Sequence, residues 1–122
     1  MDLMLVFDIF LSLTGLEKED AIKWIDTCRS AADSISADLK EDCDISNNMS
    51  SLTYAAAACA FYEYVLISSS FDGNTSFKAG DLSIRDSASE RISASRQLRD
   101  EALKRISRLM KNGDFEFVAI QC

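Results

Sequence analysis

Apolar side chains recur every three or four positions along most of this chain, and the breaks between those runs divide it into elements. Leu3, Val6, Phe7, Phe10 and Leu13 predict a short first helix ending at Gly15. It carries too little polar surface to stand in solvent, so it must pack on its own domain or on a neighbouring subunit, the former being the ordinary fate of an apolar stripe. Ala21, Ile22, Ile25, Cys28, Ala32, Ile35 and Leu39 predict a second amphipathic helix of about 25 residues opening at Thr14 or Gly15. Glu17, Glu19 and Asp20 fall in its first turn, where carboxylates suit the positive end of the dipole, and Trp24 lies off the stripe as a packed rim residue.

Residues 40–48 are acidic and Asn-rich and read as a polar connection. A third helix is expected from Ser50 or Ser51 to about Ser68, with Leu52, Ala55, Ala56, Cys59, Ala60, Tyr62, Glu63 and Leu66 mixing small and large residues. The run Ala55 to Ala58 would let other helices approach closely, which marks this as the central buried helix. Residues 68–76 read as a turn-rich loop containing Phe71, and Phe77-Lys78-Ala79-Gly80-Asp81-Leu82-Ser83-Ile84 as a short hairpin or extended arm turning at Gly80-Asp81. A fourth helix is expected from Asp86 or Ser87 to about Lys111, with Ser87 and Glu90 as a capping box and Asp100 with Lys104 and Glu101 with Arg105 as supporting pairs. Gly113 would cap it, and Phe115-Glu116-Phe117-Val118-Ala119-Ile120 reads as a strand. The expected fold is mainly α: one domain spanning residues 1–122, a small bundle of about four helices with a β-hairpin or arm and a C-terminal β-strand.

Composition sharpens this in two respects. The chain has 122 residues, no Pro and a net charge of −7, but the charge is polarised: residues 1–76 carry 4 basic and 13 acidic side chains, residues 77–111 carry 9 basic and 5 acidic. An acidic chain is a poor general binder of nucleic acid, since phosphate affinity comes mainly from Lys and Arg, yet an acidic surface suits DNA passing by without sticking. The basic face of the fourth helix, Arg91, Arg96, Arg99, Arg105 and Arg108, is placed to meet an acidic face of an identical subunit. Cys28, Cys43, Cys59 and Cys122 form no C-x-x-C pair and there is no His, so neither a zinc site nor a histidine general base is expected. Cys28 and Cys59 lie on apolar faces as small hydrophobes in a reducing compartment. No nucleophile elbow or phosphate-cradling loop is present, and no enzyme activity, cofactor or metal is expected. Residues 1–13 lack a positive n-region and are too short to span a bilayer, so a cytosolic origin without membrane association is expected.

The order of features carries a resemblance. The helix Leu52-Thr53-Tyr54-Ala55-Ala56-Ala57-Ala58-Cys59-Ala60-Phe61-Tyr62-Glu63-Tyr64, the Phe77 to Ile84 segment with its Phe-x-x-Gly-Asp, a long charged helix and then Phe115-Glu116-Phe117 together resemble the small head-tail connector (adaptor) proteins of long-tailed bacteriophages and prophages, over roughly residues 17–120. The resemblance implies a structural virion protein of the neck, assembled in the host cytoplasm. It would form a homo-oligomeric ring, commonly dodecameric, beneath the portal, joining capsid to tail around a channel through which DNA passes without specific binding. Partners would be the portal protein and a tail-completion or second connector protein. Phe71, Phe77, Lys78, Ala79, Gly80, Asp81, Leu82, Ile84, Phe115, Phe117, Val118 and Ile120 would touch portal, neighbour or tail, and the five arginines would make the intersubunit charge contacts. The first helix and the lack of Pro have no counterpart in that resemblance. A second class of reading is a small acidic helical regulator or inhibitor that occupies a basic surface on a partner protein.

Overall fold

In a computed structural model, the backbone is described for residues 1–75 and 81–111, and side chains for residues 1–69 and 88–111. The described chain is helical: α1 (Leu3–Thr14), α2 (Lys18–Ala21), a 3-10 turn (Ile22–Trp24), α3 (Ile25–Ala37), α4 (Ile45–Thr75), α5 (Asp81–Arg105) and a second 3-10 turn (Ser107–Leu109). Among the described residues β pairing is limited to one antiparallel bridge between Leu39 and Met110. There Lys40 N–H donates to the Leu109 carbonyl at 2.9 Å and Lys111 N–H to that of Asp38 at 2.7 Å, which ties the chain beyond α5 to the end of α3.

The core is organised by α4. Ala55, Ala56, Ala57, Ala58, Cys59 and Ala60 are all 0% exposed. Six successive buried positions cover the whole circumference of a helix, so α4 is enclosed on every side at this level. Small side chains make that possible, because they leave room for α1, α3 and α5 all to pack on it. From α1 come Val6, Phe7 and Phe10; from α3, Cys28, Ala31, Ala32 and Ile35; from α5 and the turn after it, Ala102, Leu103, Ile106 and Leu109. At 31 residues α4 is more than twice as long as α1 or α3, so its C-terminal part runs on past them with α5 alongside.

Contacts between α4 and α5 fix their direction. Arg108 reaches Asn48, Arg96 reaches Tyr62 and Arg91 reaches Ser69, so position numbers fall along one helix as they rise along the other and the pair is antiparallel.

The first helix behaves as its stripe suggests: it packs intramolecularly, capped by the Asp2 carboxylate accepting from Met4 N–H at 2.9 Å and closed by Gly15 at φ 72°. Other boundaries differ from expectation. The second helix is divided by the 3-10 turn, whose tighter winding brings Trp24 edge-on to Tyr64. Asp44 accepts from Asn47 N–H at 3.1 Å, so the acidic, Asn-rich stretch caps α4 five residues before the expected start. Residues 68–75, expected as a loop around Phe71, continue α4, helix propensity being a weak guide that context overrides.

Asp81, Leu82 and Ile84, expected in a hairpin, lie in the first turns of α5, and Ser87 is interior to it rather than its cap. Their spacing fits a helix as well as a strand, and the adjoining periodic run decides for helix. Phe77, Lys78, Ala79 and Gly80 lie outside the described residues, as do Phe115, Phe117, Val118, Ile120 and the expected terminal strand. At its other end α5 stops at Arg105, six residues before Lys111. Asp100 pairs with Arg99 rather than Lys104, and Glu101 accepts from Gln97 at 3.4 Å.

Candidate assembly surface

Charge is segregated by element. Residues 17–44 carry nine acidic and four basic side chains, a net −5, whereas residues 88–111 carry three acidic and seven basic, a net +4. α1 and α3 pack on α4 and on each other while α5 packs chiefly on α4, so the two groups lie on different flanks of α4 except at residues 38–44, where the Leu39–Met110 bridge sets the acidic connection beside the end of the arginine-rich segment.

Two tyrosines mark these flanks at one level. Tyr64 meets Phe10 edge-on at 5.9 Å and Trp24 at 5.0 Å between ring centroids, which places it among α1 and the start of α3. Two positions earlier and about 200° around the helix, Tyr62 turns to α5 instead, where Arg99 lies over its ring at 4.4 Å. The Arg96 Nε and Nη2 groups each donate to the Tyr62 hydroxyl at 3.3 Å. Such stacking contributes ~0.5–2 kcal/mol depending on desolvation.

The five arginines do not share one face. At about 100° per residue, Arg91 and Arg96 lie about 140° apart on α5, with Arg99 between them directed at α4. Arg99 is accordingly the covered one, its side chain 13% exposed, with Nε and Nη2 both donating to Asp100 Oδ1. Arg91 donates to Ser69 Oγ at 3.3 Å, and Arg108 to Asn48 Oδ1 at 3.4 Å beyond the end of α5. Arg105 falls on the Arg91 edge and is exposed. Three of these described contacts run to neutral acceptors on α4, namely hydroxyls and an amide. Such acceptors orient a guanidinium without cancelling its charge. Hydrogen bonding to Tyr62 and then its electrostatic effect push the Arg96 guanidinium still higher than its ordinary range, against some desolvation, with nearby Asp100 adding the smallest contribution.

On the other flank Glu17, Glu19 and Asp20 are exposed and make no ion pair with another described residue. They precede Trp24 by four to seven positions in the chain. Exposed apolar side chains are scattered rather than confined to one helix: Met4 and Leu5 on α1, Ile22 in the turn, Ile45 at the start of α4 and Ile67 in its second half. Sequence patterning indicated the charge asymmetry but not the Tyr62 cluster, whose partners are more than thirty positions apart. The signal available was only an Arg pair three apart and a Tyr.

Cys28 and Cys59 are buried free thiols, and burial pushes the Cys28 thiol up to about 11. Burial also raises the Glu63 carboxyl. Among the described residues no group of three His, Cys, Asp or Glu side chains is placed to hold a metal ion, and no helix is long and apolar enough to cross a membrane. No protein-family model, curated protein or solved structure matches the chain.

Proposed function

We propose that this chain is a structural assembly module of the head-tail connector kind, forming a ring beneath a portal and joining capsid to tail around the DNA channel. The observation that carries the reading is the division of charge between elements, a net −5 over residues 17–44 and a net +4 over residues 88–111, with α3 and α5 both packed on α4. A surface and its complement on different sides of one subunit favour head-to-tail contact, and such contacts close into rings when the rotation permits. The acidic excess suits a channel that does not retain DNA. Phe77, Phe115, Phe117, Val118 and Ile120 supply apolar contacts to the portal, the next ring or the tail in this reading.

The test is a native mass measurement of the full chain, alone and after co-expression with its candidate portal protein. A discrete cyclic oligomer in either preparation is expected, and a monomer in both overturns the reading. The exposed acids Glu17, Glu19 and Asp20 also fit a second reading, an acidic regulator seated on a basic partner protein. Deleting residues 115–122 separates the two: a regulator that still folds keeps its partner, whereas a connector loses assembly.

A further inference from the structure

We draw no further inference here: the strongest candidate, the exposed apolar patch of Met4 and Leu5 on α1, carries nothing because nothing in the structure shows what covers it.

Discussion

Tyr62 and Tyr64 stand two positions apart on α4 yet serve opposite sides of it: Tyr62 holds Arg96 and Arg99 of α5, and Tyr64 meets Phe10 of α1 and Trp24 ahead of α3. Truncating either should therefore damage a different interface. Tyr64→Ala removes two edge-on aromatic contacts and should cost about 2–4 kcal/mol in urea unfolding. Tyr62→Phe keeps the ring under Arg99 and loses only the hydroxyl, so its cost should be about 0.5–1 kcal/mol. Equal losses for the two would contradict this division.

Enclosure of α4 makes added volume costly. Ala57 is 0% exposed within a six-residue buried run, and Ala57→Leu has no solvent side to turn toward. Overpacking should destabilise by about 1–3 kcal/mol or more, seen as a lower urea midpoint at unchanged slope. A neutral result would place α4 at the surface.

Gly15 ends α1 in the left-handed region at φ 72°, its N–H donating to the Leu11 carbonyl at 2.9 Å. A methyl group there would meet nothing within 4 Å, so the cost of Gly15→Ala is one of backbone conformation alone, about 1–2 kcal/mol. Thermal unfolding followed by circular dichroism measures it.

Two acids raised by burial, one of them only partly covered, tie stability to pH. The folded Cys28 thiol is raised from 9.0 to about 11 by burial. The unfolded chain thus loses that proton first, and the stability it contributes is complete below about pH 9 and is lost as pH rises through about 11. Cys28→Ala should flatten that alkaline loss in denaturation curves. In the folded protein Cys43, which is only half-buried, should be alkylated well before Cys28.

Glu63 follows the same sign at lower pH. Its carboxyl is raised by burial, so ionising it opposes folding, and the stability of its protonated form is lost as pH rises through its folded value. Glu63→Gln should stabilise the protein slightly at pH 7, with the advantage shrinking in acid. A variant less stable than the parent at pH 7 would mean that the charge has an unrecognised partner.

Much of the bundle was legible in the chain because its signals are local. The stripe of α1, the run of small residues in α4, the apolar Cys28 and Cys59 and the contrast between an acidic first part and an arginine-rich α5 all follow from residue type and spacing. Spacing could not fix where helices stop. Asp44 reads as part of a polar connection until its carboxylate is seen capping α4, and residues 68–75 and 81–84 carry turn and strand signals yet lie within α4 and α5.

The sequence by itself determined that this protein is helical, that one helix is small enough in side chain to be surrounded, and that charge is divided along its length. Only the tertiary structure decided that Tyr62 and Tyr64 face opposite partners, and that Arg91 and Arg96 lie on separate edges with Arg99 tucked between them. The physical reason is range: periodicity records which side of an element avoids water, whereas partners twenty to sixty positions apart meet through the packing of whole helices.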